Sequence, residues 1–178
     1  MTILETDRLC LRQLMLTDAG FILELVNEPA WLRFIGDRGI RTLDDARNYI
    51  ATGPLDSYQR FGFGLYLVEL KSDHIPLGIC GLIKREALPN VDLGFALLPR
   101  FWGHGYALEA AKAVLTLAHG TLGLRRVVAI TNPDNTRSIR VLEKLGLRFE
   151  RMVNLSETGP QLKLFAHEAP QADVRLQA

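Results

Sequence analysis

The chain is poor in the features that mark several large classes of protein. Among its 178 residues are only two cysteines, too few to frame a disulfide-rich secreted domain. The formal net charge is +1, which gives no reason to expect nucleic-acid binding or a polybasic membrane patch. No apolar run approaches the roughly 18 residues that cross a bilayer, and the first residues lack the basic-then-apolar pattern of a signal peptide. We therefore expect a cytoplasmic protein that binds neither nucleic acid nor membrane.

Metal ligands in a recognisable arrangement are also lacking. The four histidines are scattered without the spacing of a metal site, so no metal is expected. Cys10 and Cys80 each lie in an apolar, strand-like run, where a buried and reduced thiol is the simplest interpretation. A catalytic or metal-binding role for either cysteine is the alternative.

One stretch in the second half of the chain indicates a ligand. Residues 97–107 read LLPRFWGHGYA, an apolar strand that passes through Pro99 and two close glycines into an alanine-rich helical pattern beginning at Gly103. The first amides of a helix have no intrahelical partner and lie at the positive end of the helix dipole. A turn of this kind binds phosphate or pyrophosphate, so the stretch predicts a phosphate-bearing cofactor.

Two common phosphate-binding motifs are absent from this stretch. A P-loop closes with Gly-Lys-Ser or Gly-Lys-Thr, and the chain has no such triplet. A dinucleotide fingerprint that starts at Gly103 needs a third glycine where the chain has Leu108. The cofactor is therefore predicted to be neither a P-loop nucleotide nor a dinucleotide.

Hydrophobic spacing predicts an alternation of strands and helices. A first strand includes Leu9 and Leu11, a helix ends before Pro29, and a second helix is capped by Thr42 with Asp45 three residues later. The remaining predicted strands are 61–70, 77–83, 91–98, 124–131, 149–154 and 161–167. The remaining predicted helices are 103–119 and one that is capped by Asp134 or Asn135 and runs through Leu145. The pattern predicts one domain over residues 1–169, a mixed sheet with helices on both faces, and a frayed tail at 170–178.

Four segments together resemble the GNAT superfamily of acyl-CoA N-acyltransferases. They are TDRLCLR at 6–12, DLGF at 92–95, WGHGYA at 102–107 and NPDNTRS at 132–138 followed by LEKLGL at 142–147. Trp102 stands where the family signature usually has Arg or Gln, a departure typical of the branch that resembles RimJ- and RimL-type ribosomal-protein N-terminal acetyltransferases. The segments occur in the family's order and cover roughly residues 5 to 155.

The resemblance implies both a fold and an activity. The fold would be the α/β GNAT-like fold, with a mixed, mostly antiparallel central sheet and helices on both faces. The activity would be an N-acetyltransferase that takes acetyl-CoA as co-substrate and transfers the acetyl group to a primary amine. That amine would be the α-amine of a protein or peptide, or a small-molecule amine. The resemblance is also compatible with a homodimer, although the sequence specifies no interface.

The resemblance further implies which residues bind acetyl-CoA. They are Leu97, Leu98, Trp102, Gly103, His104, Gly105, Tyr106, Ala107, Asn135 and Ser138. The backbone N–H of Leu97, on the splayed fourth strand, would stabilise the oxyanion, and His104 would offer a donor to the pyrophosphate. Asn135 would bond to the pantetheine arm and Ser138 would lie near the sulfur. The alternative is that Asn135 and Ser138 only cap their helix.

The proton transfers are less specified by the sequence. Many family members have a tyrosine acid at the position of Leu142, so Ser138 or an ordered water would have to protonate the leaving thiolate. Asp92 and Glu86 are the carboxylates best placed to act as base; we prefer Asp92, although either could be a solvated surface acid. Glu109 is expected to complement the helix dipole.

Two further interpretations stay open. Residues 31–39 combine Trp31 and Phe34 with a glycine-flanked loop, and they either wall the acceptor site or pack in the core. The missing tyrosine and the unsettled base are also compatible with a non-catalytic acyl-CoA-binding sensor.

Overall fold

A computed structural model describes residues 1–170 of the chain. All of the predicted tail beyond Pro170 lies outside the described residues. Within them, one sheet of eight strands runs in the order β1-β2-β3-β4-β5-β6-β8-β7. The strands are β1 Thr2–Glu5, β2 Leu9–Gln13, β3 Leu65–Leu70, β4 Pro76–Ile83, β5 Val91–Leu97, β6 Arg126–Thr131, β7 Arg148–Val153 and β8 Leu162–Glu168.

The sheet is mixed and mostly antiparallel, as predicted. Every neighbouring pair of strands is antiparallel except β5 and β6, which run parallel. The helices are α1 Ala19–Val26, α2 Pro29–Phe34, α3 Leu43–Ile50, α4 Asp56–Phe61, α5 Tyr106–His119 and α6 Thr136–Lys144.

Helices cover both faces of the sheet, which confirms the predicted layers. On one face, α5 packs its buried stripe against the strands, and Leu142 of α6 joins the same core. On the other face, α1, α2 and α3 bury a second core against the sheet, with Trp31 and Ile50 among its members. The sheet therefore lies between two separately packed layers of helices.

The predicted cap of α3 is confirmed in detail. The Thr42 hydroxyl accepts a hydrogen bond from the Asp45 amide at 3.1 Å, and the Asp45 carboxylate accepts one from the Thr42 amide at 2.9 Å. This reciprocal pair satisfies two amides that the helix itself leaves unpaired.

Several predicted element boundaries were wrong. The short strand β1 was not predicted, so the strand carrying Leu97 is the fifth along the chain, not the fourth. β3 begins at Leu65 rather than 61, because α4 runs to Phe61 and Gly62, at φ 76°, ends it. Pro29, which was expected only to end a helix, also starts α2 at the position where a helix tolerates proline.

Helix α5 begins at Tyr106, three residues after the predicted start. Gly103 and Gly105 have φ values of 80° and 81°, the left-handed region that an α-helix cannot include. The two glycines instead form a loop in front of the helix. We call residues 102–107 the glycine loop.

Strands β5 and β6 separate soon after they meet. Their pairing is limited to Val91 with Val127 and Asp92 with Val128. Beyond that point the sheet is split, and the gap opens towards the glycine loop at the end of β5.

Candidate active site

A cleft of about 1220 Å³ opens where β5 and β6 diverge. The alternation of β5 sends Phe95 and Leu97 to the face covered by α5, and Ala96 to the face covered by α1 and α3. The cleft is therefore lined from both faces of the sheet. We call the side formed by the glycine loop and the first turn of α5 the α5 wall. We call the side formed by Trp31, Tyr49, Arg85 and Asp92 the α3 wall.

Where β5 and β6 separate, backbone groups lose their partners in the neighbouring strand, and side chains form hydrogen bonds with two of them. Had the strands continued side by side, the Ile130 amide would have bonded to the backbone of β5; it donates instead to Asp92 Oδ1 at 3.3 Å. The Leu97 carbonyl accepts a hydrogen bond from Trp102 Nε1 at 2.8 Å. Asp92 and Trp102 thus stabilise the two open strand edges.

The Leu97 amide faces into the split. The neighbouring Leu98 amide bonds to the Leu77 carbonyl of β4 at 2.9 Å, and successive amides of a strand point to opposite sides. The Leu97 N–H consequently points away from β4, towards the gap. This is the geometry that the oxyanion role requires.

Trp102 also connects β5 to α6. Its ring lies under the Arg137 guanidinium, with Arg137 Cζ 4.5 Å from the ring centroid. With its indole N–H on Leu97, Trp102 joins the end of β5 to the first turn of α6. Trp102, the residue that replaces the usual Arg or Gln of the family signature, therefore holds the end of β5 against α6.

The glycine loop presents free amides at the start of α5. Gly105 is the N-cap and supplies no side-chain cap, and the first helical bond is the one from the Glu109 amide to the Gly105 carbonyl at 3.0 Å. The amides of Tyr106, Ala107 and Leu108 precede that bond and have no intrahelical acceptor. A Cβ on Gly103 would meet no atom within 4 Å, so the loop borders open space. These features fit a diphosphate.

His104 has a contact that the sequence did not reveal. Its Nδ1 lies 2.8 Å from the Trp102 carbonyl oxygen, which can only accept, so Nδ1 carries the proton. The ring also stacks on Tyr106, with centroids 5.6 Å apart. The His104 imidazole therefore stabilises the conformation of the glycine loop through its Nδ1 hydrogen bond.

Asn135 caps helix α6, as one of the two interpretations of Asn135 and Ser138 predicted. The Asn135 side chain accepts a hydrogen bond from the Ser138 amide at 3.2 Å. Both residues also line the cleft, and this cap uses neither the Asn135 side-chain NH₂ nor the Ser138 hydroxyl. Leu142, at the position of the family's tyrosine, is 1% exposed within the core.

Asp92 is a buried carboxylate on the α3 wall. It is 1% exposed, and its Oδ2 accepts a hydrogen bond from Arg85 Nε at 2.6 Å. Burial raises the pKa of Asp92 to about 6, although the charge and hydrogen bond of Arg85 and the Ile130 amide act in the opposite direction. Of the two predicted base candidates, Asp92 lines the cleft, whereas Glu86 is exposed on the β4–β5 loop.

Sequence reasoning missed Arg85 and left Trp31 undecided. The β4–β5 hairpin pairs Ile83 with Asp92, which brings Arg85 beside the carboxylate. A prediction of this strand register from the sequence could have identified Arg85. Trp31 is 6% exposed and lines the cleft, and its Nε1 has no hydrogen-bond partner within residues 1–170. Trp31 therefore packs in the α1–α3 core and also borders the cleft, and its role in walling the acceptor site stays a prediction.

Tyr49 is a further lining residue of the α3 wall. Burial raises the pKa of its phenol, and the positive charges of Arg38 and Arg85 partly offset that rise. The α3 wall thus combines aromatic surface with cationic side chains and one buried carboxylate.

The structure also bears on the other sequence expectations. Within residues 1–170 no group of three potential metal-ligating side chains is found. No helix in that range is long and apolar enough to cross a membrane. Cys10 and Cys80 are both buried and unpaired, and burial raises the pKa of the Cys80 thiol.

Comparison with known proteins identifies the family. The model of the acetyltransferase (GNAT) domain matches residues 8–148. The uncharacterized N-acetyltransferase YoaA of Bacillus subtilis is 29% identical over 150 residues, covering 83% of this chain and 84% of that protein. The uncharacterized protein YkkB of the same species is 28% identical over 155 residues, covering 85% and 88%.

Solved structures share the fold. An acetyltransferase from Agrobacterium tumefaciens superposes with a TM-score of 0.81 at 25% identity, covering 95% of each chain. The ribosomal L7/L12 α-N-protein acetyltransferase RimL, solved in complex with coenzyme A, gives a TM-score of 0.81 at 19% identity, covering 94% of this chain and 98% of that one. The domain match, over more than half of the chain, and the named N-acetyltransferase relatives lead to one conclusion: the chain belongs to the GNAT acetyltransferases and is an acyltransferase enzyme.

Proposed function

We propose that the protein transfers the acetyl group of acetyl-CoA to a primary amine by direct attack in a ternary complex. The single observation that carries this proposal is the split between β5 and β6, with free amides on its α5 wall and a buried carboxylate on its α3 wall. A thioester bound from one side can there meet an amine that arrives from the other.

The cofactor would lie along the α5 wall. The amides of the glycine loop and of the first turn of α5 would bind the diphosphate, since a helix N-terminus favours negative charge. The pantetheine arm would follow Leu97 and Leu98 into the split, with Asn135 donating to one of its amide carbonyls. Ser138 would then lie near the sulfur.

Asp92 would accept the proton that the amine loses, directly or through one water. An α-amine has a pKa of about 7.7–8.0, so roughly a tenth to a fifth of it is neutral at pH 7. With a pKa of about 6, Asp92 is ionised at pH 7 and is a stronger base than an exposed aspartate. Arg85 would keep the carboxylate oriented towards the cleft.

Negative charge develops on the thioester oxygen as the amine attacks. The Leu97 N–H would donate to that oxygen, and one preorganised donor of this kind is worth about 2.7–4 kcal/mol. The nitrogen–carbon bond would form first and give a tetrahedral oxyanion, whose collapse breaks the carbon–sulfur bond. The departing thiolate would take a proton from an ordered water, directly or through the Ser138 hydroxyl, which regains its own proton from that water. Leu142 offers no proton, so the tyrosine acid of other family members has no counterpart at this position.

Neither cysteine supports an acyl-enzyme intermediate. Cys10 and Cys80 are both buried and neither is among the residues that line the cleft. Because burial raises the pKa of Cys80, its thiol stays protonated and is a poor nucleophile. Direct transfer needs no such group.

The acceptor would be the α-amine of a protein or peptide, or a small-molecule amine. RimL, whose fold this chain shares, is named for α-N-protein acetylation, which favours testing peptide N-termini first. We also expect the protein to act in the cytoplasm and to form a homodimer. Light scattering of the purified protein at several concentrations tests the dimer.

The test is turnover with a panel of amines. The protein is incubated with acetyl-CoA and with peptides and small amines, free thiol is followed, and products are identified by mass spectrometry. We expect thiol release that depends on the amine and a product heavier by one acetyl group. Acetyl-CoA binding without turnover across a broad panel would favour the non-catalytic sensor instead.

A further inference from the structure

The segment Thr6-Asp7-Arg8 resembles the family but has so far been given no function. In the structure it packs against the glycine loop and the first turn of α5. We propose that Arg8 is a positioning residue that aims the Gly105 amide at the diphosphate of the cofactor. This inference rests on the proposed function, because it concerns the same diphosphate site.

The first step is the contact between Arg8 and the loop. Arg8 Nη1 donates to the His104 carbonyl oxygen at 3.0 Å. The peptide unit that contains this carbonyl also contains the Gly105 N–H, and in a planar trans peptide the two groups point in opposite directions. Holding the carbonyl outwards therefore turns the Gly105 amide inwards.

The second step is why this peptide needs to be held. Gly103 and Gly105 both have positive φ, and glycine reaches many other conformations at little cost. The Trp102 carbonyl is already held by His104 Nδ1 at 2.8 Å, which aims the Gly103 amide by the same geometry. Arg8 would orient the Gly105 amide in the same way as the His104 imidazole orients the Gly103 amide.

The third step is what fixes Arg8 itself. Glu109 accepts hydrogen bonds from Arg8 Nε at 2.7 Å and from the Arg8 amide at 3.0 Å, and its Oε2 lies 2.6 Å from Arg8 Nη2. The Thr6 hydroxyl donates to Glu109 Oε1 at 2.6 Å. The guanidinium also lies over the Tyr106 ring, 4.6 Å from its centroid. Arg8 is thus tied to α5 at two places.

These contacts change the interpretation of Glu109. Burial alone would raise the pKa of Glu109, but the hydrogen bonds from Thr6 and Arg8 outweigh it and lower that pKa, so the carboxylate is ionised. The sequence suggested that Glu109 complements the helix dipole. Glu109 does lie in the first turn of α5, where a negative charge complements the helix dipole. The same charge also pairs with the Arg8 guanidinium, which is therefore not free for a phosphate.

The alternative role for Arg8, a direct phosphate ligand, predicts different results. As a direct ligand, Arg8 would be partly replaced by lysine, and removal of the nearby Glu109 charge would tighten cofactor binding. As a positioning residue, Arg8 needs its fork geometry and needs Glu109, so Arg8→Lys and Glu109→Gln both weaken binding.

The experiment measures the affinity for acetyl-CoA by calorimetry. We expect Arg8→Ala and Arg8→Lys to weaken binding about 10-fold, and Glu109→Gln about 3-fold, the range expected for the loss of one or two hydrogen bonds. The control is Arg126→Ala, because Arg126 is likewise an ion-paired arginine, bound to Glu150 and Glu168, but lies on β6 away from the loop. That variant should bind acetyl-CoA like the unmodified protein.

A second readout follows the loop amides directly. In ¹H–¹⁵N spectra, coenzyme A should shift the resonances of Gly103 and Gly105 in the unmodified protein. In Arg8→Ala the Gly105 shift should shrink while the Gly103 shift persists, since His104 still holds that peptide. Unchanged affinity in Arg8→Ala, tighter binding in Glu109→Gln, or an unchanged Gly105 shift in Arg8→Ala would overturn the positioning role. Failure of the unmodified protein to bind acetyl-CoA would overturn the proposed function instead.

Discussion

The two walls of the cleft are built by different means. The α5 wall offers backbone groups, the amides of one loop and one helix start, and they are contiguous in the chain. The α3 wall offers side chains from distant segments: Trp31 from α2, Tyr49 from α3, and Arg85 and Asp92 from the β4–β5 hairpin. A backbone site depends on local conformation, whereas a side-chain site depends on how remote elements pack. Substitutions should therefore affect the two walls separately.

The largest effect should come from breaking the α5 wall. Gly105→Val places a β-branched residue at φ 81° and distorts the loop, so we expect at least about 100-fold weaker binding of acetyl-CoA by calorimetry. Gly123→Val is the matched control. Gly123 has φ 64° with no atom near its Cβ position, and it lies outside the cleft, so its variant carries similar strain without touching the loop. Equal loss of affinity in both variants would mean that general destabilisation, not the loop, is responsible.

On the α3 wall, Asp92→Asn should lower kcat/KM by about 100- to 10,000-fold with little change in acetyl-CoA affinity. Asparagine keeps an oxygen for the Ile130 amide, so the split between β5 and β6 is preserved. Asp92→Ala removes both the base and that hydrogen bond, and should also lower the melting temperature. Full activity in Asp92→Asn would remove Asp92 from the mechanism.

The pH dependence of activity separates the base from the substrate amine. Below about pH 7.7, protonation of an α-amine acceptor lowers log kcat/KM with a slope of 1. Because the pKa of Asp92 is raised to about 6, protonation of the base should increase that slope to 2 below about pH 6. In Asp92→Asn the slope should stay at 1 throughout, as measured by initial rates from pH 5 to 8.

The same carboxyl group should make stability depend on pH. Its pKa is about 6 in the folded protein and near 3.8 in the unfolded chain, so between those values the folded state holds the extra proton. The free energy of unfolding therefore falls as pH rises from 4 to 6, by up to about 3 kcal/mol from this group. Urea unfolding should show this fall in the unmodified protein relative to Asp92→Asn. Parallel profiles for the two proteins would contradict it.

The smallest effects should come from the two indole N–H groups, one on each wall, of which only that of Trp102 has a hydrogen-bond partner within residues 1–170. Trp102→Phe keeps a ring under Arg137 but loses the bond to the Leu97 carbonyl, so kcat should fall by about 2- to 10-fold. Trp31→Phe removes the donor without a partner on the α3 wall, so the KM for the amine should change while acetyl-CoA affinity does not. Steady-state kinetics with each substrate varied in turn distinguish these results.

The same contrast explains how much of the site the sequence predicted. The glycine loop could be located because its positive-φ glycines and helix start are encoded within a few adjacent residues. The Asn135 cap and the capping box at Thr42 are local in the same sense, and both were predicted. The mixed sheet with helices on both faces followed from the alternation of apolar patterns, whereas the mostly antiparallel pairing came from the resemblance to the family.

What the sequence did not reveal depends on contacts between remote segments. Arg8 meets Glu109 about a hundred positions away, and no local pattern reports that pairing. The raised pKa of Asp92 comes from burial, which depends on how β5, β6 and the α3 wall close around it. β1 and α2 were missed because each is too short to show a clear period.

The most direct measurement is a crystal structure of the protein with acetyl-CoA bound. We expect the diphosphate oxygens within about 2.7–3.2 Å of the Gly103, Gly105 and Ala107 amides, and the thioester carbonyl within hydrogen-bond distance of the Leu97 amide. A diphosphate bound elsewhere, with those amides facing solvent, would contradict the account.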